Sequence, residues 1–321
     1  DKTGNDMANH MADFLVKRAF LVKAPEIKEN SDSIPYPKNP PKETLFLPEK
    51  RFTVDELFVK GKKNPSLACG PDTISLRHIM DLMPAMKDTL QMICDKPIDT
   101  FINIDRNFSR CISKTKCAPK QTLDEKSQRP IVEANILPKY TSVNLFIKNL
   151  RTAIIPFLGD NQFSFPKKGS PIALINVLDT ANMRACQKKK TSIILYDYSN
   201  AFCTYDHDVF NQIISKFNFS DRLKQLCNDF LKQCKTSIKM SDCNGYYISD
   251  EVDMGRGVPQ GQIGADLFFA MVNDGIEPST LINVLIDVIK YVDDFSNVVA
   301  CDTISDLNDT IIRNELEMKL S

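Results

Sequence analysis

Apolar positions along this chain change period several times, and each change predicts an element. Between Met7 and Val22, the residues Met11, Phe14, Leu15 and Ala19 recur at three- and four-residue intervals, an amphipathic helix with one buried face. Phe52 to Val59 starts another, with Thr53 as N-cap and Glu56 completing a capping box. Pro71 to Met83 predicts a third. Helical spacing returns at Phe210, Ile213, Ile214 and Phe217 behind Asp206 as cap, and at Leu223, Leu226, Cys227, Phe230 and Leu231 behind Ser220. Ile304 to Leu320 predicts a last helix. Other stretches read as strands. Ser192 to Tyr196 is a β-branched, apolar run ending in Asp197, a buried strand that delivers an acid at its C-terminal end. Phe108 to Ile112 precedes a Lys-rich turn. Ser237 to Met240 and Tyr246 to Ser249 flank the hairpin turn Asp242-Cys243-Asn244-Gly245. Val284-Leu285-Ile286 and Val298-Val299 enclose Tyr291-Val292-Asp293-Asp294-Phe295, a tight hairpin with two adjacent carboxylates at its tip. A loop punctuated by Gly and Pro, Gly255 to Gly261, leads into an apolar helix through Leu267 to Asp274. Helices and strands mix, and the acids sit on separate strands. That predicts an α+β fold and not a doubly wound sheet.

The length of 321 residues allows one large domain or two modest ones. Lys+Arg and Asp+Glu both number 41, so any polyanion partner must be met by a local basic stripe and not by overall charge. Basic runs stand at Lys60-Gly61-Lys62-Lys63, Lys114 to Lys120, Lys167-Lys168 and Lys188-Lys189-Lys190, while the hairpin region is acidic. The ten cysteines include no C-x-x-C and there are three histidines, so no zinc spacing can be assembled and the thiols read as reduced and intracellular. No stretch approaches the roughly 20 apolar residues of a membrane span, and no secretory signal is visible. Residues 1–50 read as a connector containing the Pro-rich run Ile34 to Pro41, and the first residue, Asp1, suggests a piece of a longer polyprotein.

Three segments, in fixed order, carry a family resemblance. Asp197-x4-Phe202 with Asp206-His207 behind it, Gly257-Val258-Pro259-Gln260-Gly261, and Tyr291-Val292-Asp293-Asp294 resemble the first catalytic motif, the substrate-positioning loop and the metal hairpin of reverse transcriptases of the non-LTR (LINE-type) retrotransposon class. Gly70-Pro71-Asp72-Thr73-Ile74, Arg129-Pro130-Ile131 and Gln162-Phe163-Ser164-Phe165 are weaker matches, so the resemblance runs from about residue 51 to the end. It implies a right-hand polymerase fold with fingers over 51–190 and palm over 191–321. Part of 207–260 would fold back to the fingers, and the thumb is missing from the short stretch after Phe295.

The implied activity is RNA-directed DNA polymerisation, the addition of dNTPs to a DNA primer on an RNA template. In-line phosphoryl transfer needs the 3′-oxygen activated and the pyrophosphate neutralised, which two Mg²⁺ ions roughly 4 Å apart can do. Mg²⁺ (with Mn²⁺ as a substitute) takes hard oxygen ligands and keeps several waters. By resemblance Asp197 and Asp293 are the metal ligands and Asp294 the hairpin's supporting acid. The two ligands converge only if the Ile193–Asp197 strand lies beside the hairpin. Phe202 would sit under the incoming sugar and collide with a 2′-hydroxyl, favouring deoxynucleotides. Gln260 would help position the nucleotide or the template base. Arg129, with Lys114 or Lys116, would grip the triphosphate, as a guanidinium suits bidentate phosphate contact. Tyr291 would pack beneath the primer end, and His207 reads as structural.

Some positions depart from the family pattern. Ser164-Phe165-Pro166 stands where Gly-Phe-Arg is usual, Cys203 where a second acid is usual, Gln262 where Ser is usual and Asp266 where Pro is usual. None removes a metal ligand. Two alternatives therefore stay open beside the polymerase: a decayed remnant that only binds nucleic acid, and an RNA-dependent RNA polymerase, which Phe202 disfavours. The implied setting is the nucleus or a cytoplasmic ribonucleoprotein.

Overall fold

Capping chemistry and apolar stripes build the helices where side chains can satisfy the free backbone ends. The computed structural model describes residues 4–21, 39–96, 107–113, 128–165, 168–197, 201–204, 206–232, 235–242, 245–253, 255–258, 261, 263–275, 284–292 and 294–320. Helix α1 (Gly4–Leu21) turns Ala8, Met11, Ala12 and Leu15 inward, and its apolar face meets Ile238. The box before α2 (Val54–Leu57) has both halves: Glu56 N donates to Thr53 Oγ1 at 3.2 Å, and Thr53 N donates to Glu56 Oε2 at 2.7 Å. After α3 (Val59–Lys63), helix α4 (Leu76–Cys94) begins later than the sequence pattern suggests and runs further. Ser75 caps it. Asp72 and Thr73 instead form a turn, with Thr73 at φ 61° and Ile74 N donating to Asp72 Oδ1 at 3.1 Å. Pro84 does not end α4, because Ile79, Met83, Leu90 and Cys94 continue the buried stripe past it.

Strands β1 (Asn107–Ser113) and β2 (Gln128–Ala134) pair antiparallel. There follow α5 (Ile136–Pro138), a π-helical turn over Lys139–Val143, and α6 (Asn144–Ile154). Then come α7 (Ser170–Cys186), β3 (Lys190–Asp197), α8 (Ala201–Thr204), α9 (His207–Lys216) and α10 (Asp221–Lys232). Strands β4 (Lys235–Asp242), β5 (Gly245–Ile248) and β6 (Val252–Asp253) precede α11 (Ala265–Asp274). Strands β7 (Leu285–Tyr291) and β8 (Asp294–Cys301) and helix α12 (Ile304–Leu320) complete the chain. The architecture is mixed helix and strand.

The described residues form two sheets. One is five-stranded, in the order β2-β1-β4-β5 with β6 also on β4; β4 runs parallel to β1. The other is three-stranded, in the order β3-β8-β7, antiparallel throughout. The main core is helical, where α6, α9, α10 and α11 meet. Its centre is aromatic: Phe268 stacks on Phe230 and meets Phe210 edge-on, both with centroids 5.0 Å apart. Helix α7 covers β7 and β8 through Ala173, Val177, Ile289 and Val298. Strand β3 is an edge strand of this sheet, and its face carrying Ile193 and Leu195 is open, so these two are 40% and 73% exposed instead of buried. Leu45 and Leu47, at the end of the 1–50 segment, pack on the main core, and Leu45 exchanges backbone bonds with Asn218 and Ser220. No helix among the described residues is long and apolar enough to cross a membrane.

Candidate active site

The hairpin and the acid-ending strand lie side by side. Tyr291 pairs with Asp294 across β7 and β8, so Val292 and Asp293 are all that joins the two strands. Strand β3 pairs with β8 along its whole length, and the last pair is Asp197 with Asp294. Directly opposed residues share a face of the sheet, with Cβ atoms about 5 Å apart. Both carboxylates are exposed. Two hard-oxygen donors at that spacing, open to solvent, fit a hydrated divalent ion of the Mg²⁺ type, which needs few protein ligands. Asp293 lies outside the described residues. Sequence reasoning gave Asp294 a supporting part, and the register makes it the acid directly opposite Asp197.

The turn between the strands is held from three directions. Val292 adopts φ 54°, a left-handed conformation that a β-branched residue rarely takes. Its N–H donates to Ser164 Oγ at 2.6 Å, and its carbonyl accepts from Asn273 Nδ2 at 3.0 Å. Ser164 Oγ in turn donates to Gln162 Oε1 at 2.5 Å. The neighbouring Lys290 is fully buried, and its ammonium reaches the carbonyls of Asn273 and Asp274 at 2.7 and 2.8 Å, at the C-terminal end of α11. The strand itself is fastened by Phe163 N to Lys290 O at 2.8 Å and Lys290 N to Asn161 O at 2.9 Å.

The glycine loop is tied to the segment after β3. Gly255, Gly257 and Gly261 all have positive φ, which is why this stretch needs glycine. Val258 N donates to Phe202 O at 2.7 Å, and Arg256 Nη2 lies 3.1 Å from Asp206 Oδ2. His207 Nε2 lies 2.8 Å from Gly257 O. Asp206 also caps α9 by accepting from Asp208 N at 2.8 Å. The Phe202 ring is half-buried and rests on Phe269, with centroids 5.3 Å apart. Gln260 lies outside the described residues.

Phe202 and Gly261 also edge a cleft of about 570 Å³ whose walls carry Lys60, Lys139, Lys148 and Arg151. Lys139 Nζ donates to Gly261 O at 3.1 Å. Burial, and then the nearby Lys60 charge, hold Lys139 below the usual lysine range. Arg151 binds both Asp266 oxygens at 2.6 Å, so the acid where the family has proline is the partner of a cleft arginine. Gly70, of the Gly-Pro-Asp segment, abuts the end of β2: a Cβ there would lie 2.6 Å from Ala134 C. Asp72 N donates to Asn135 Oδ1 at 3.1 Å. Arg129 is a residue of β2, opposite Ile112, with its side chain outside the description; Lys114 and Lys116 lie outside the described residues.

Sequence reasoning missed Lys139, Arg151, Asn273 and Lys290. Each lies in or beside an apolar run whose period signals only packing. Comparison with known proteins adds no relative: no protein-family model and no curated protein sequence matches the chain.

Proposed function

We propose that this chain is the core of an RNA-directed DNA polymerase of the non-LTR retrotransposon kind. The observation that carries the reading is the β3–β8 register, which ends on Asp197 opposite Asp294 at the mouth of the hairpin. In this reading the three-stranded sheet is the palm and the five-stranded sheet belongs to the fingers. Asp197 and Asp293 hold Mg²⁺ or Mn²⁺, with Asp294 beside them. When bound there, two divalent ions activate the primer 3′-oxygen and neutralise the leaving pyrophosphate.

The protein's own groups do the positioning. Phe202 follows Asp197 by five residues and forms the floor on which the deoxyribose rests. Its ring is backed by Phe269 and cannot retreat easily from a 2′-hydroxyl. Gln260 and the glycine loop set the nucleotide against the template base. Arg129, with Lys114 or Lys116, holds the triphosphate. The Lys60, Lys139, Lys148 and Arg151 cleft carries template phosphates past the site. Partners are then an RNA template, a DNA primer and dNTPs, together with further domains of a longer polyprotein. The setting is the nucleus or a cytoplasmic ribonucleoprotein.

The test is single-nucleotide extension of a DNA primer on an RNA template with Mg²⁺, alongside Asp197→Ala and Asp294→Ala. Extension with dNTP over NTP, lost in Asp197→Ala, supports the reading. Folded protein that binds template and extends nothing points to a nucleic-acid-binding remnant. NTP used as readily as dNTP points to an RNA polymerase.

A further inference from the structure

The hairpin turn is strained, and the groups that restrain it belong neither to the hairpin nor to the acids. A β-branched residue at φ 54° is strained and persists only when its surroundings over-determine it. Val292 meets that condition through its two backbone groups. Ser164 Oγ accepts from its N–H, and Asn273 Nδ2 donates to its carbonyl. Each restraint is itself fixed. The Ser164 hydroxyl is oriented by its own bond to Gln162 Oε1, and the Gln162 side chain is buried. Asn273 is 3% exposed, and its carbonyl is held by the buried Lys290 ammonium. The clamp thus joins the loop before α7, the end of α11 and the hairpin.

We infer that Ser164 and Asn273 are positioning residues that lock the Val292 turn and, through it, the register of Asp294 against Asp197. The inference rests on the polymerase reading for its consequence, which is the affinity of the acid pair for a divalent ion. Ser164 falls where the family pattern has glycine, so this hydroxyl is a property of this chain. Loosening the turn lets Val292 relax towards negative φ, which rotates the strand ends and separates the paired carboxylates. Metal affinity then falls while template binding, which uses other surfaces, does not.

The experiment compares the full chain with Ser164→Gly, Asn273→Ala, and Ser164→Gly combined with Val292→Gly. Two readouts are taken: hydrogen exchange at the Val292 amide, and the Mg²⁺ concentration giving half-maximal single-nucleotide extension. Ser164→Gly is expected to speed Val292 exchange and raise the Mg²⁺ requirement, each by roughly three- to tenfold, the worth of one hydrogen bond. Template–primer affinity and melting temperature stay near those of the parent. Adding Val292→Gly should restore the Mg²⁺ requirement, because glycine takes the left-handed conformation without a clamp; the exchange readout applies only where residue 292 keeps its valine. Unchanged exchange in Ser164→Gly, or a raised Mg²⁺ requirement that Val292→Gly does not restore, overturns the clamp. Extension by the parent with the same Mg²⁺ requirement in Ser164→Gly overturns the clamp alone. No extension by the parent at any Mg²⁺ or Mn²⁺ concentration overturns the polymerase reading and the clamp's metal role with it.

Discussion

His207 Nε2 lies 2.8 Å from the carbonyl oxygen of Gly257, and Gly257 can accept only if that nitrogen carries the proton. The residue before it, Asp206, pairs with Arg256, the residue before Gly257. Two neighbours on one segment thus grip two neighbours on the loop, and Val258 N completes the hold on Phe202 O. On the polymerase reading, His207→Leu removes a donor and is expected to raise the KM for dNTP about fivefold, the effect of one lost hydrogen bond. His207→Gln, which keeps an N–H donor, should recover most of it. Steady-state kinetics on one primer and template would check this; equal KM values for parent and His207→Leu would remove the loop-anchoring role.

The acids and the loop were legible in the sequence because their chemistry is local. Apolar runs flanking Asp293-Asp294 read as a hairpin whatever surrounds them, and Thr53 with Glu56 forms its capping box over three residues. What joins distant segments was not legible. Ser164 meets Val292, and Arg151 meets Asp266, across more than a hundred residues each, and no periodicity encodes such pairs. The exposure of Leu195 was misjudged for the same reason: its composition is that of a buried strand, but burial depends on which face of the sheet other elements cover. The end of α4 also lies beyond the expected Met83, since tertiary packing of the stripe past Pro84 outweighs one missing helix bond.

On the polymerase reading, Phe202 is the residue on which sugar choice should depend. Its ring lies tilted against Phe269 and packs on the main core, so truncation both opens the floor and loosens the packing. Phe202→Ala is expected to raise NTP incorporation relative to dNTP by at least tenfold, since a clash worth about 1.4 kcal/mol or more is relieved. It should also lower stability by about 2 kcal/mol, less than a fully buried phenylalanine because the ring is half-buried. Competition between dNTP and NTP on one template measures the first, and denaturant melts the second. Unaltered sugar preference would assign Phe202 to the core alone.

Lys139 predicts a pH dependence. Burial, and secondarily Lys60, favour its neutral form in the folded protein. A lysine depressed in this way binds fewer protons folded than unfolded, so stability rises as pH increases from the lowered value towards the unfolded one near 10.4. On the proposal that the cleft carries template, RNA affinity runs the other way. Lys139 sheds its charge before an ordinary lysine does, so binding begins to weaken at a lower pH than solvent-exposed lysines would dictate. Lys139→Gln should abolish that early weakening and reduce the slope of log affinity against log salt by about one. Filter binding of single-stranded RNA across pH and salt tests both; an unchanged salt slope would take Lys139 out of the template path.

Asp197 and Asp294 face each other with like charge, and like charges directly opposed across a sheet are destabilising. Without a divalent ion, Asp197→Asn should therefore raise stability by about 0.5–1 kcal/mol at neutral pH, as should Asp294→Asn. Because the two substitutions relieve the same repulsion, the double variant should gain less than the sum of the singles. On the polymerase reading, adding Mg²⁺ should stabilise the parent and leave Asp197→Asn nearly unchanged, since Asp197 is one of the two proposed ligands. Thermal melts of the four proteins with and without Mg²⁺ give the full comparison, and they need no nucleic acid or turnover. Additive gains would mean that the two acids do not sense each other, and equal Mg²⁺ stabilisation of parent and variant would place the ion elsewhere.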